Sequence, residues 1–234
     1  MELTTKEVPL ETLSILVRPS PETNDHEVVL RSEEGDLISR FGDGMIGLDP
    51  DDILVEPCPL LPAAEARTVI VGRCDCGYVG CGSVEVTVST DGRVVAWTSK
   101  ERPAGVRFDA VQYTAEVRRA LAEHGWETPD RTVARLISSS IDRDHLAHSG
   151  LEFAWASGRV HPSTMTIALR TKDGCYQVLG SVPWHGESPE AIAETCRRLL
   201  LTEPRTWNDI QWFSTGRAFG PPEIAGPGWR LGKR

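Results

Sequence analysis

Residues 84–98 of the sequence read Val-Glu-Val-Thr-Val-Ser-Thr-Asp-Gly-Arg-Val-Val-Ala-Trp-Thr. Valine alternates with polar residues over the first five positions, which is the period of a strand with one buried face. The pair Asp91-Gly92 follows, and this pair is typical of a tight turn between antiparallel strands. The segment therefore predicts a β-hairpin in which residues 84–89 pair with residues 93–98. The apolar run at residues 67–71 predicts a further strand before it.

The hydrophobic pattern changes to a helical period on the C-terminal side of this hairpin. Three segments, 109–124, 129–142 and 189–202, each begin at an N-capping residue or at a proline of the first helical turn. In the first of them, the predicted apolar stripe consists of Val111, Ala115, Val117 or Arg118, and Leu121 or Ala122. The sequence therefore predicts three amphipathic helices.

Three more alternating runs, at residues 151–157, 164–170 and 175–182, separate the second helix from the third. Such runs predict strands, and the turn signal Lys172-Asp173-Gly174 pairs the last two as a hairpin. Strands and helices thus follow one another in blocks. This order predicts an α+β fold, with antiparallel β-sheets and about three helices in two blocks.

The N-terminal part of the chain is rich in short apolar runs. Residues 12–18, 26–30 and 37–41 predict strands, with a turn between the last two. Residues 42–47 predict a loop. Asp49 and Pro50, as N-cap and first helical residue, predict one short helical turn after it.

These blocks suggest a division of the chain into three parts. Residues 1–107 would form a β-rich unit that carries a cysteine knuckle, and residues 108–215 would form helices on a small antiparallel sheet. Residues 216–234 contain many glycines and prolines and predict an irregular tail. A single continuous domain is the alternative, since no flexible linker separates the parts.

The densest chemistry lies between the strands of residues 67–71 and 84–89, in the run Cys74-Asp75-Cys76-Gly77-Tyr78-Val79-Gly80-Cys81-Gly82. Three thiolates at this spacing can reach one Zn²⁺ ion, which then needs a fourth ligand. Cys58 is the nearest candidate along the chain. Other candidates could be brought close by folding: His26, His161, His185 and Cys175. Two alternatives remain open, a glycine-rich hairpin tip whose thiols only pack, and a redox or disulfide site.

The same region carries a resemblance to a group of proteins. Residues 71–77, then Gly80-Cys81-Gly82, Phe108-Asp109 and Tyr113 with Glu116, resemble uncharacterised actinobacterial proteins that carry a Cys-x-Cys-Gly-x-x-Gly-Cys-Gly run. The resemblance covers about the middle third of the chain. It implies a soluble bacterial cytosolic protein, and no activity is attached to that group.

The charge of the chain is concentrated in its first quarter. Residues 1–60 hold 14 acidic and 4 basic residues, a net charge of −10, within a total of −9 for 234 residues. A phosphate backbone would be repelled there, so nucleic acid is not an expected partner. An exposed acidic face would suit a basic protein or simply aid solubility. The absence of a signal-like N-terminus and of a long apolar run predicts a cytoplasmic protein with reduced thiols that does not enter a membrane.

No known catalytic motif is recognisable in the sequence, so no catalytic residue is assigned and an enzyme is the less favoured reading. The leading hypothesis is a cytosolic binding or interaction protein, of the kind that includes immunity proteins and antitoxins. The alternative is a metal- or thiol-dependent enzyme centred on Cys74, Cys76 and Cys81. A third hypothesis is a zinc knuckle with only a structural role.

Overall fold

The computed structural model describes residues 9–19, 26–76, 81–216 and 220–233. Over these residues the chain forms an α+β fold with fourteen strands, six α-helices and one short 3-10 helix. The predicted fold class is confirmed, and three short helices join the three long ones that were predicted.

The first compact unit, Met1–Trp126, holds two sheets and three helices in its described residues. Its strands are β1 (Leu10–Glu11), β2 (Ser14–Pro19), β3 (His26–Ser32), β4 (Gly35–Asp36), β5 (Met45–Gly47), β6 (Arg67–Cys74), β7 (Ser83–Thr90), β8 (Val94–Thr98) and β9 (Val106–Asp109). Its helices are α1 (Leu37–Phe41), α2 (Pro50–Ile53) and α3 (Ala110–Ala122). Six strands form one sheet in the order β1-β9-β8-β7-β6-β5, and β2, β3 and β4 form another. Only the pair of β1 and β9 is parallel among these described strands.

The predicted hairpin and the first predicted helix are both confirmed in this unit. β7 pairs antiparallel with β8, and Asp91 accepts hydrogen bonds from the backbone N–H groups of Arg93 and Val94 at 2.8 Å each. Helix α3 begins where the carboxylate of Asp109 accepts from two backbone N–H groups of the first turn. Such a cap satisfies donors that the helix itself cannot pair.

Two N-terminal predictions were wrong. The run at residues 37–41 is helix α1 and not a strand, because Asp36 caps it by accepting a hydrogen bond from the backbone N–H of Ser39 at 2.8 Å. The predicted loop at residues 42–47 contains strand β5, which pairs antiparallel with the end of β6. Strand β5 depends on a contact with a distant strand, which a short apolar run does not reveal, whereas the cap of α1 is a local signal.

An aromatic cluster fills the core between the large sheet and α3. Trp97, Phe108 and Tyr113 are fully buried, and the ring of Trp97 meets the other two edge to face, at centroid distances of 5.7 and 6.2 Å. The indole N–H of Trp97 donates to the hydroxyl of Tyr113 at 3.0 Å, and this hydroxyl donates to the carbonyl of Leu60 at 2.9 Å. Burial raises the pKa of Tyr113. The polar atoms of this core are therefore satisfied by one another.

The second compact unit, Glu127–Arg234, packs helices on one five-stranded sheet. Its helices are α4 (Pro129–Ser140), α5 (Arg143–His148) and α6 (Pro189–Leu200), with a 3-10 turn at Pro204–Thr206. Its strands, in spatial order, are β10 (Leu151–His161), β11 (Thr164–Thr171), β12 (Tyr176–Pro183), β13 (Ile210–Ser214) and β14 (Trp229–Leu231). The predicted helices and the three predicted strands of this region are confirmed.

The division between the units falls after Trp126, whereas the sequence favoured a boundary near residue 107. The reason is that α3 buries Tyr113, Val117 and Ala120 in the core of the first unit.

The C-terminal tail, which was expected to be irregular, contains one strand, since β14 pairs parallel with β13. This pairing joins segments that are far apart in sequence.

A nearly buried ion pair connects β1 to α1. Both guanidinium nitrogens of Arg40 donate to the carboxylate of Glu11, at 2.6 and 2.8 Å, and Glu34 lies 3.0 Å from the same guanidinium. The side chains of Glu11 and Arg40 are only 7% and 13% exposed. The hydrogen bond from Arg40 lowers the pKa of Glu11, against the opposing effect of burial.

We expect Glu11→Gln to lower the free energy of unfolding of the first unit by about 1–2 kcal/mol at pH 7, because it removes one charge of a paired site. Because the pKa of Glu11 is lower in the folded state, the ion pair stabilises the fold at pH values above the unfolded-state pKa of this carboxyl group. This stabilisation is lost as the pH falls through the folded-state pKa. The difference between wild type and variant should therefore shrink between about pH 5 and pH 3. Urea unfolding at several pH values measures this difference. Glu65→Gln, at an exposed position of the same unit, is the control, and a pH-independent difference would contradict the prediction.

Candidate metal centre

The cysteine cluster lies at one end of the β6–β7 hairpin. Cys74 is the last residue of β6, and its backbone N–H donates to the carbonyl of Gly82 at 3.2 Å. Arg73 and Ser83 form the preceding pair of the ladder. The strand pairing thus fixes the chain on both sides of Cys76 and Cys81 and brings the two ends of the knuckle together.

The three thiols converge on one point. The Sγ atoms of Cys74, Cys76 and Cys81 all lie within 4.8 Å of one another. A tetrahedral ion with metal–sulfur bonds of 2.3 Å holds its sulfurs about 3.8 Å apart, so only a small closing movement separates this cluster from a metal site. Cys74 is half-buried, while Cys76 and Cys81 are exposed. The cluster can therefore hold a metal ion that is accessible from solvent.

Hydrogen bonds within the cluster favour the protonated form of Cys74. The hydrogen bond with the thiol of Cys76 raises the pKa of Cys74 to about 11, and the thiol of Cys81 adds to this effect. The backbone N–H of Cys76, 3.5 Å from the sulfur of Cys74, acts in the opposite direction. A cation that binds here must displace these protons, because thiolates and not thiols are the ligands.

The structure does not bring Cys58 into this cluster. Cys58 is 2% exposed within the core of the first unit, and its thiol donates to the carbonyl of Ile53 at 3.4 Å. Burial raises the pKa of this thiol, which further disfavours the thiolate. The prediction of Cys58 as fourth ligand rested on closeness in sequence, and the core position explains the difference.

His26, the other candidate ligand of the first unit, is not part of the cluster either. His26 is half-buried at the start of β3, where its ring lies 5.6 Å from the ring of Trp126. His161, His185 and Cys175 belong to the second unit, and the thiol of Cys175 lies 3.7 Å from the carbonyl of Asp173. All six cysteines lie in the described part of the chain, and each carries a free thiol there.

One residue of the cluster's surroundings was missed by the sequence analysis. Met45 of β5 is the direct partner of Cys74 in the antiparallel β5–β6 pair. Its side chain lies over Gly82, since a Cβ atom at Gly82 would be 3.0 Å from the Cε and 3.9 Å from the Sδ of Met45. No sequence signal indicated this contact, because residues 42–47 were expected to form a loop.

The comparisons with known proteins add no relative: no protein-family model matches the chain, and neither the curated proteins nor the solved structures show a significant match. The resemblance to actinobacterial proteins therefore stays a prediction. No helix in the described part of the chain is both long and apolar enough to cross a bilayer.

Proposed function

We propose that this chain is a reversible metal-binding protein in which Cys74, Cys76 and Cys81 hold one thiophilic ion. The observation that carries the proposal is the convergence of three sulfurs within 4.8 Å at an accessible end of a hairpin. Three thiolates supply most of the usual tetrahedral ligand set of Zn²⁺.

Solvent access favours exchange of the ion over a purely structural role. Structural zinc sites are closed by four protein ligands and supply folding energy outright. Here the β6–β7 ladder and a core that includes Val69, Val71, Val84 and Val86 already hold the hairpin. The metal-free protein should therefore stay folded, and the ion can be taken up and released without unfolding.

The same exposure favours binding over catalysis. A catalytic thiol or metal works in a site that excludes water and positions a substrate. Cys76 and Cys81 are exposed, and Asp75, whose carboxylate lies 3.7 Å from the sulfur of Cys74, is exposed as well. This supports a binding protein as the first choice and leaves a metal- or thiol-dependent enzyme as the alternative.

Metal analysis of the reduced, purified protein tests this function. We expect one Zn²⁺ per chain by native mass spectrometry after loading, and loss of at least about tenfold in affinity in Cys76→Ser and in Cys81→Ser. Cys175→Ser is the matched control, because Cys175 is partly accessible but belongs to the second unit. Cys175→Ser should bind Zn²⁺ like the wild type. All three variants should give the same circular dichroism spectrum as the metal-loaded wild type.

Two results would refute the function. One is wild-type protein that holds well under one ion per chain while Cys74, Cys76 and Cys81 are alkylated at equal rates with and without added metal. The other is equal loss of metal binding in Cys175→Ser and in Cys76→Ser, which would indicate nonspecific binding through any accessible thiol.

An interaction with a basic protein remains a second proposal for the N-terminal part. Asp43, Asp51 and Asp52 are exposed, whereas Asp36 and Asp49 serve as helix N-caps. Exposed carboxylates of this kind can present a negative field to a basic partner. Binding of this kind should weaken as the Debye length falls from about 10 Å at 0.1 M salt to about 3 Å at 1 M. The double variant Asp51→Asn/Asp52→Asn should weaken it at low salt, and undiminished binding would remove the proposal.

A further inference from the structure

We infer that Met45 supplies a fourth sulfur to the cysteine cluster and that the resulting site selects Cu(I) over Zn²⁺. The inference deepens the proposed metal-binding function and rests on it. It names the class of ion that the site prefers and assigns a ligand from outside the β6–β7 hairpin that carries the cysteines.

The strand register places Met45 beside the thiols. Met45 lies directly opposite Cys74 in the β5–β6 pair, and Ile46 and Gly47 continue the register with Arg73 and Gly72. Directly opposed residues of an antiparallel pair project from the same face of the sheet, with Cβ atoms about 4.5–5.5 Å apart. The side chains of Met45 and Cys74 therefore leave the sheet on the same side.

Two glycines leave room for the methionine to reach across this face. A Cβ at Gly82 would lie 3.0 Å from the Cε of Met45, and a Cβ at Gly42 would lie 3.3 Å from its Cγ. Gly82 follows Cys81 directly and accepts a hydrogen bond from the backbone of Cys74. The methionine side chain thus runs from its position opposite Cys74 toward Gly82, the residue next to Cys81.

The chemistry of this donor set distinguishes the two ions. Zn²⁺ in proteins is bound by thiolate, imidazole or carboxylate, while Cu(I) accepts soft thiolate and thioether sulfur. Among the described residues, three thiols converge here, and the carboxylate of Asp75 lies 3.7 Å from the sulfur of Cys74 but is not part of the converging group. A thioether as fourth donor is neutral, soft and flexible about its bonds, so it suits Cu(I) and adds little for Zn²⁺.

The half-buried position of Met45 also fits this role. Met45 packs against the core of the first unit with its side chain partly exposed, so its stem is held while its sulfur can turn toward an ion. Leucine has nearly the same volume and keeps this packing but offers no donor. Met45→Leu therefore separates ligation from packing.

The experiment compares the full-length wild type, Met45→Leu and Met165→Leu. Met165 is fully buried in the second unit and controls for the exchange of methionine for leucine as such. Cu(I) affinity is measured anaerobically by competition with bathocuproine disulfonate, and Zn²⁺ affinity by competition with a chromophoric chelator. We expect Met45→Leu to lower Cu(I) affinity by about tenfold or more and to leave Zn²⁺ affinity within about twofold. Met165→Leu should change neither.

X-ray absorption of the copper-loaded proteins gives an independent readout, with four sulfur neighbours expected in the wild type and three in Met45→Leu. If Met45→Leu binds Cu(I) as tightly as the wild type does and shows the same number of sulfur neighbours, the inference is overturned and the metal-binding function stays intact. A wild type that binds neither ion stoichiometrically would overturn the metal-binding function itself. The two failures are therefore distinguishable.

Discussion

Replacement of Tyr113 by phenylalanine is expected to lower the free energy of unfolding of the first unit by about 2–4 kcal/mol. The hydroxyl of Tyr113 accepts from the indole of Trp97 and donates to the carbonyl of Leu60, and all of these atoms lie in the core. Phenylalanine keeps the ring but leaves one buried donor and one buried acceptor without partners. Each unsatisfied group costs more than the net value of the hydrogen bond it made.

Hydrogen exchange of peptides from β8 and α3 measures this effect in the first unit alone. The matched control is Tyr176→Phe in the second unit, where the ring of Tyr176 is half-buried and packs edge to face on Trp212, with centroids 5.9 Å apart. The control should change stability by less than about 0.5 kcal/mol. An equally small change for Tyr113→Phe would show that the core can satisfy Trp97 and Leu60 in another way.

Substitution of Gly226 by alanine should release the C-terminal segment from the second unit. A Cβ at Gly226 would overlap the backbone carbonyl of Arg205, so the segment could not keep its path. Trp229 would then lose its stacking on Trp207, where the ring centroids are 6.1 Å apart and the ring planes differ by 13°. It would also lose the hydrogen bond that its indole N–H donates to the carbonyl of Pro204 at 2.9 Å. Loss of a docked tryptophan is worth about 3–5 kcal/mol, by analogy with truncation of buried aromatic residues.

The measurement is hydrogen exchange of residues 220–233 together with tryptophan fluorescence, which should shift to longer wavelength. Gly216→Ala provides the control, because a Cβ at Gly216 would meet no atom within 4 Å. The control should keep the wild-type protection. Full protection of β14 in Gly226→Ala would mean that the carbonyl of Arg205 can move away at little cost.

Local signals in the sequence were sufficient for the hairpin and the long helices. Asp91-Gly92, the cap at Asp109 and the prolines at positions 129 and 189 each act within a few residues, so their effect can be read without knowing the rest of the fold. The inward face of α3 was less readable. Of the alternatives Val117 and Arg118, Val117 is buried. Val111 is 78% exposed and Ala115 is also exposed, because the helix turns Tyr113 and Ala120 toward the core instead.

Non-local pairing accounts for what the sequence did not reveal. Strands β5 and β14 have only three residues each, and each exists because it pairs with a strand distant along the chain. A periodic pattern cannot be recognised over three residues. The candidate site follows the same rule. Its three cysteines are close in sequence and could be predicted, whereas Met45 approaches them only through the β5–β6 pairing.

The register of Met45 with Cys74 has a mechanical consequence. Strand β5 lies at an edge of the six-stranded sheet, and a bound ion with ligands on β5 and on the hairpin would be a cross-link between them. Opening of that edge would then require release of the ion. At a free ion concentration of 100 times the Kd, binding of the ion adds about 2.7 kcal/mol to the free energy that is needed to open this edge. Metal supply in the cell would thereby set how often the backbone of β6 becomes available to another chain.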